Sequence, residues 1–515
     1  MTLGLLIAVA LAGGLASTLL GPRLPRGAAW LGLGAALAVL LIAFAVGPDD
    51  SFHVGTVGLA GSPTVRLVGL GWAAAAFLLA VIGRVAGGAA TTVGPSLIAL
   101  GASVLALAAD DPSLAFAALA AGGVAVILAP TLGAWLADHE EAPLTAVAVR
   151  GAGATVAAGL VGMLGVAWSR SPAGPFGGGA NGAIDDAGFH LAIGLTLLAM
   201  AAAVVVRSGA IPAHLWAARF VGGVTPLAVP GALGWSSAAF TLAALGWSGA
   251  TVGQGGVALD DAGRLLVVLV ALGSIVLGGL AAILHDDLEH VLGYTVVQSA
   301  GIGLLAFTTL GLASSGGAGA APGFGPAAGL GSLAGASAAD WLVAVAATIS
   351  AMAGWIALLR WIFGTHRVSE LRGWARRAPG LAIAAAAILV ALVGVPGMAV
   401  FDARVTLASG ALPGPLGPAL VLLALSPIVA IGRILVAGFG RVAPEVAAAP
   451  RERVGVLVRP VGGWSRGGVS RGGLAWLARI VRATVRENAG LVASLAAILL
   501  AVVGLAFSVI GTTSA

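Results

Sequence analysis

Apolar runs of about twenty residues recur along this chain from one end to the other, and each is long enough to cross a hydrocarbon core of about 30 Å as a helix. Their approximate limits are 2–20, 28–47, 66–86, 92–109, 113–136, 145–167, 189–208, 226–248, 264–284, 291–312, 340–362, 379–398, 416–437 and 489–510. In lipid the backbone must satisfy its own polar groups, which helices do segment by segment. The alternating pattern of a membrane barrel is absent. The expectation is an all-α polytopic membrane protein of about fourteen transmembrane helices, with the eighth and twelfth broken by proline and glycine.

Composition supports this reading. Only 9% of the 515 residues are charged and 59% are hydrophobic, against about 25% charged in a water-facing domain. The formal net charge of +5 does not point to nucleic acid, because the arginines sit mostly in connections between spans, where they set topology and meet anionic headgroups. Arg23, Arg26, Arg84, Arg150, Arg219, Arg367, Arg372, Arg376 and Arg377 fall in odd-numbered connections, as does the long stretch from Arg441 to Arg486. Asp49, Asp50, Asp185 and Asp186 fall in even-numbered ones. The odd connections are therefore expected on the cytoplasmic side of a bacterial membrane and both termini outside. The first run has no basic residue before Arg23, so it reads as a retained span rather than a signal peptide.

Cysteine is absent, which excludes thiolate-held clusters and disulfides. Every basic residue apart from histidine is arginine; there is no lysine. Residues 311–339 are almost entirely Gly, Ala, Ser and Pro and read as a flexible outer loop. Residues 442–473 read as a basic cytoplasmic loop leading into a surface helix, Leu474 to Arg486, with Trp476, Leu477 and Ile480 towards lipid.

Ionisable groups inside spans are functional candidates by default. Here they are Arg207 at the end of the seventh span, Asp402 and Arg404 after the break in the twelfth, and Arg433 in the thirteenth, which reads as reaching back to the cytoplasmic surface. His285, Asp286, Asp287, Glu289 and His290 cluster between the ninth and tenth spans, without the ligand spacing of a metal site. His214 stands at a helix end beside Pro212 and Trp216. The breaks at Val224-Thr225-Pro226 with Pro230-Gly231, and at Val395-Pro396-Gly397, are of the kind that lines a polar cavity and suggest an inverted repeat.

Three stretches resemble a known family. Arg207 through Pro212, His214 and Trp216 to Thr225-Pro226, then Asp287 through Tyr294 (the only tyrosine) to Gly301, then Leu371 through Pro379 to Pro396 and Phe401, are similar in order and spacing to the antiporter-like membrane subunits of respiratory complex I. Subunit N is the nearest form, and the likeness runs from about residue 200 to 405. The resemblance implies two inverted five-helix repeats: residues 1–110 would be N-terminal helices, 111–250 the first repeat, 251–440 the second, 441–488 the basic loop and surface helix, and 489–515 the last span.

It further implies proton translocation coupled to quinone reduction in an NADH–quinone oxidoreductase or a related hydrogenase or cation-antiporter assembly. Partner membrane subunits are then expected, with NADH and quinone used elsewhere and no cofactor on this chain. The proton-path candidates are Arg207, His214, His285, His290, Asp402 and Arg404, with Thr225, Pro226 and Pro396 at the breaks. The chain departs from the family in its titratable groups. Ser113 to Ala137 contains no acid where the family has a glutamate, the family's lysines align with Arg207 and Arg404, and its eighth-span cation falls near Ala232 or Ser237. A guanidinium stays protonated where a buried lysine can release its proton; the expectation for Arg404 is a pairing with Asp402. A bracing subunit without pumping activity and an independent transporter of the same ancestry remain the alternative readings.

Overall fold

The computed structural model describes residues 1–55, 57–137, 142–170, 186–255, 259–310, 330, 333–444, 446 and 489–511. Nearly all of these are helical. Thirteen helical segments are long and apolar enough to cross a membrane, and a further apolar helix, Pro379–Val393, is the first half of the broken twelfth span. The protein is an integral, multi-pass membrane protein.

The first four spans are α1 (Thr2–Leu20), α2 (Pro25–Ala45), α3 (Pro63–Ala86) and α4 (Ala89–Ala108). Proline at the start of α2 and α3 supplies a helical φ where no N–H is needed, and Ser62 caps α3 by accepting from Val65 N–H at 3.2 Å. Between α2 and α3, where an acidic loop is expected, the chain forms a hairpin of β1 (Ser51–Val54) and β2 (Val57–Ala60). α1 crosses α4 closely because both carry glycine at the contact: a Cβ on Gly14 would lie 2.8 Å from the Gly94 carbonyl.

Next come α5 (Pro112–Ala137), α6 (Ala142–Arg170), α7 (Asp186–Ser208) and a short α8 (His214–Gly223). The eighth span opens with a 3₁₀ turn at Pro226–Ala228 and a wide π-turn at Pro230–Trp235, then runs on as α9 (Ser236–Gly255). Then follow α10 (Asp261–Leu284), α11 (Leu288–Leu304), α12 (Ala306–Thr309) and α13 (Leu333–Phe363). α13 begins inside the stretch expected to be an outer loop: alanine and leucine after residue 332 continue an apolar helix into it. Residues 311–329, 331 and 332 of that loop lie outside the described residues, as do the basic loop from 447 onwards and its surface helix.

The remaining helices are α14 (Trp374–Arg377), α15 (Pro379–Val393), α16 (Ala399–Ala411), α17 (Leu416–Leu423), α18 (Pro427–Gly438) and α19 (Ala489–Ile510). The thirteenth span is therefore broken as well, at Pro427, which cannot continue the hydrogen-bond ladder; Gln298 reaches from α11 and donates to the freed Ala424 carbonyl at 3.1 Å. Two segments form the centre of the bundle. Residues 226–248 and 341–359 are buried throughout, whereas α1, α2 and α19 keep most of their surface outward. Leu495, Leu499, Val502 and Val509 of α19 are exposed, as lipid-facing residues are.

The connections sort to two ends. Asp286 and Asp287, between α10 and α11, meet His366 to Ser369, after α13, and Arg372 and Gly373 meet Ala437 and Ala443. At the other end the hairpin is held by Asp110, whose carboxylate accepts from Gly58 N–H at 3.0 Å.

Candidate functional site

The two helix breaks each receive a buried arginine. At the first, Pro226 and Pro230 lack the N–H that would bond the preceding turn, and the π-turn after them leaves carbonyls aimed inward. Arg207, 1% exposed, comes from the end of α7 to meet them. Its Nη1 donates to the Ala232 carbonyl and the Ser237 hydroxyl, each at 3.1 Å, and its Nη2 to the Ser236 hydroxyl at 2.5 Å. Ser236 in turn donates to the Gly231 and Ala232 carbonyls. Among the described residues no carboxylate lies within ion-pair distance of Arg207. The α5 position opposite it is Gly123, where a Cβ would sit 3.1 Å from Nη2. The guanidinium thus occupies space that a side chain on α5 would otherwise need.

At the second break Gly394 and Gly397 adopt φ of 67° and 90°, conformations open to glycine, and Pro396 stands between them. α15 therefore ends at Val393 with its last carbonyls unpaired. Arg404, also 1% exposed, reaches back from α16 and caps them, Nη1 to Val393 at 2.8 Å and Nη2 to Leu392 at 2.6 Å. A cation at a helix C-terminus also meets the favourable end of its dipole. The guanidinium lies over the Trp341 ring, 5.0 Å from its centre. Asp402 does not pair with it. The carboxylate is exposed and accepts only a long contact from Gly397 N–H, 3.5 Å. Two residues along a helix turn about 200°, so Asp402 and Arg404 point to opposite sides.

Between the arginines lies a line of polar groups that the candidate list omitted. Ser237, bonded to Arg207, joins Ser208, Thr241 and Ser299 in lining a cavity of about 30 Å³, roomy enough for a water molecule. The Ser299 carbonyl accepts from Trp341 Nε1 at 3.1 Å, and Trp341 carries Arg404. The sequence does hold a trace of this line: Ser237 and Thr241, and Thr295 and Ser299, repeat at four-residue spacing on the α9 and α11 faces that meet α13.

The histidines form a separate group at one end. His285 stacks on His290 at 4.8 Å and on Tyr294 at 5.1 Å. His290 Nδ1 and His366 Nε2 lie 3.4 and 3.3 Å from the two Asp287 oxygens, though the first contact is too poorly aligned to be a hydrogen bond. His285 is held below the ordinary histidine range, first by burial and then by His290 and Arg433, against an opposing pull from Asp287. Arg433 is half-buried and lies near enough to His285 to act on it; its Nε and Nη2 are buried without hydrogen-bond partners. His214 Nδ1 is likewise buried without a partner, and the residue shares with Tyr294 a side cavity of about 270 Å³. Glu289 is buried and paired with Arg360 at 2.8 Å.

With this geometry in view, the comparisons with known proteins are consistent. No family model matches the chain. It is 28% identical over 283 residues to NADH-quinone oxidoreductase subunit N 1 of Streptomyces griseus, 54% of this chain and 53% of that protein. The matched part spans about half the length of the curated relatives it matches. In structure it is similar to a chain of the Mrp complex of a Dietzia species, with a TM-score of 0.66 at 17% identity over 98% of this chain and 94% of that one. It is also similar to a chain of respiratory complex I from Thermus thermophilus, with a TM-score of 0.62 at 19% identity over 99% of both. The chain shares its fold with those chains of the Mrp complex and of complex I. In sequence it is similar to subunit N over about half its length.

Proposed function

We propose that this chain is a membrane-arm subunit of a complex-I-like NADH–quinone oxidoreductase and takes part in proton translocation coupled to quinone reduction. The observation that carries the reading is the polar line from Arg207 through Ser237, Thr241 and Ser299 to Trp341 and Arg404, which joins the two helix breaks. The kinship to subunit N and the shared fold of complex I and Mrp chains support it. On this reading NADH and quinone are handled by other subunits, and neighbouring membrane subunits flank this one. The two breaks are equivalent points of two inverted repeats, within 111–250 and 251–440. The histidine end, with its arginine-rich connections, faces the cytoplasm and both termini face outward.

Guanidinium groups do not release protons at working pH. Arg207 and Arg404 therefore act as fixed cations that hold water and hydroxyls in line, while protons pass along serine and threonine hydroxyls and water. His214, His285 and His290, gathered at Tyr294, are the titratable groups at the cytoplasmic end. A specific observation favours the non-pumping alternative: among the described residues no acid faces Arg207, and Gly123 stands opposite it. The test is proton uptake by vesicles of the assembled complex. Ser237→Ala with Thr241→Val should cut proton uptake per quinone reduced while partner subunits still co-purify. Unchanged uptake with normal assembly would overturn a relay and leave the bracing role. Recovery of this chain without partners would make it an independent transporter.

A further inference from the structure

The side cavity of about 270 Å³ that His214 and Tyr294 share lies between α8, α10 and α11. The rest of its wall is aliphatic side chains and one glycine, and among the described residues no charged side chain enters it. Leu277, Leu280 and Leu284 stand along one face of α10 at helical spacing, and all three are exposed. The cavity therefore opens sideways, towards lipid. Its two polar side chains are unsatisfied. Among the described residues neither forms a side-chain hydrogen bond, and His214 Nδ1 is buried with no partner. An imidazole that carries its proton on Nε2 avoids burying an N–H without an acceptor. Nε2 of His214 and the Tyr294 hydroxyl are then two uncharged donors for an occupant.

Depth and chemistry together select that occupant. Leu284 is the last residue of α10 and His214 the first of α8, so the mouth lies where a span ends. Leu277 lies two turns further into the apolar zone. This is the level between headgroups and hydrocarbon, where the ester carbonyls of a glycerolipid sit above its acyl chains. The space exceeds the roughly 150 Å³ that admits a benzene ring, so it takes a stretch of chain. A bare hydrocarbon chain would leave both donors unpaired, at a cost in free energy. A charged headgroup would find no opposite charge in the wall. An ester carbonyl accepts from both donors while its chain fills the slot.

We propose that this cavity holds one acyl-ester glycerophospholipid, recognised by its ester carbonyl on His214 and Tyr294 and not by its headgroup. Its acyl chain runs along Leu277, Leu280 and Leu284, and the bound lipid fills the space between α8 and α10. The site is independent of the proton path and of the assembly in which the chain works, so its failure would leave that reading untouched.

The experiment is native mass spectrometry of the full chain, with whatever subunits accompany it, in nanodiscs of equal parts dioleoyl phosphatidylcholine and its dialkyl ether analogue, which lacks the carbonyls. One lipid should stay bound after the others are shed, with the ester form favoured about tenfold, the worth of two hydrogen bonds. Tyr294→Phe should lower that preference about threefold, as loss of one hydrogen bond does, and adding His214→Leu should abolish it. Leu280→Trp, which fills the slot, should reduce retention of both lipids. Replacing phosphatidylcholine by phosphatidylglycerol should leave the ester preference unchanged. Thermal unfolding of each variant separates loss of lipid from loss of fold, and Tyr294→Phe removes only one hydroxyl. Equal retention of ester and ether lipid by the unaltered chain would overturn the proposal. A headgroup preference larger than the ester preference would do so too, as would displacement of the lipid by added oleic acid. Loss of an accompanying subunit from Leu280→Trp, with lipid retention unchanged, would make the cavity a subunit contact and overturn it as well.

Discussion

The two breaks use one device in two environments. At the first, Arg207 is enclosed by α5, α7 and α9 and bonded to a π-turn carbonyl and two hydroxyls, and residues 226–248 are all buried. At the second, Arg404 is equally buried, but Val395, Pro396 and Gly397 beside it are exposed, as is Asp402. The first break is thus locked by tertiary contact, whereas the second keeps one side open. A broken helix in lipid must find hydrogen-bond partners; here an arginine from the neighbouring helix supplies them in both cases. What differs is whether the freed backbone can also meet water or another subunit.

The comparison can be broken by substitution. Arg207→Met should be the most damaging, because it strands the Ala232 carbonyl and two hydroxyls in a sealed interior. A loss of about 3 to 5 kcal/mol is expected from thermal or denaturant unfolding. Arg404→Met should follow at about 2 to 4 kcal/mol, since it uncaps two helix carbonyls and removes the stack on Trp341, while water can reach the open side. If Arg404→Met proved worse than Arg207→Met, the second break would be the locked one. Ser236→Ala should cost about 1 kcal/mol, one hydrogen bond's worth.

Asp402→Asn sharpens the contrast further. With no ion pair to lose, its effect should stay within about 0.5 kcal/mol, as for other surface substitutions. A cost of several kcal/mol would restore the Asp402–Arg404 pair. The smallest effect is expected at the histidine end. His285 is held below its unfolded range, so the unfolded chain binds more protons there. Its contribution to stability is therefore full above the ordinary histidine range and is lost as pH falls through that range. His285→Phe should flatten the acid limb of a melting-temperature profile between about pH 5 and 7. An unchanged limb would place the acid sensitivity elsewhere, with His290, His366 or Asp287.

Much of this fold was legible in the chain because a bilayer permits so few solutions. Spans, their order and the two main breaks follow from apolar length and from proline and glycine positions, which act locally. The third break at Pro427 was legible in principle but was hidden in a run that stays apolar on both sides. The hairpin at 51–60 was missed because four-residue strands carry almost no periodicity. The start of α13 was missed because alanine and serine suit a helix as well as a linker, and packing decides between them. Of the site, Arg207 and Arg404 stood out as cations in apolar surroundings. Ser236, Ser237, Thr241, Ser299 and Trp341 did not, since hydroxyls and tryptophan are common in helices and gain meaning only from what they face.

What the sequence determined by itself, then, is a helical bundle that spans the membrane, its break points and its buried cations, because each depends on local backbone chemistry and on the cost of burying charge. Only the tertiary structure decided how those cations are satisfied. It put Arg404 on the carbonyls of Leu392 and Val393 rather than on Asp402, set Gly123 rather than an acid against Arg207, and aligned the hydroxyls between them. Partners far apart in the chain meet through packing, and helix rotation, invisible in composition, chooses which faces meet.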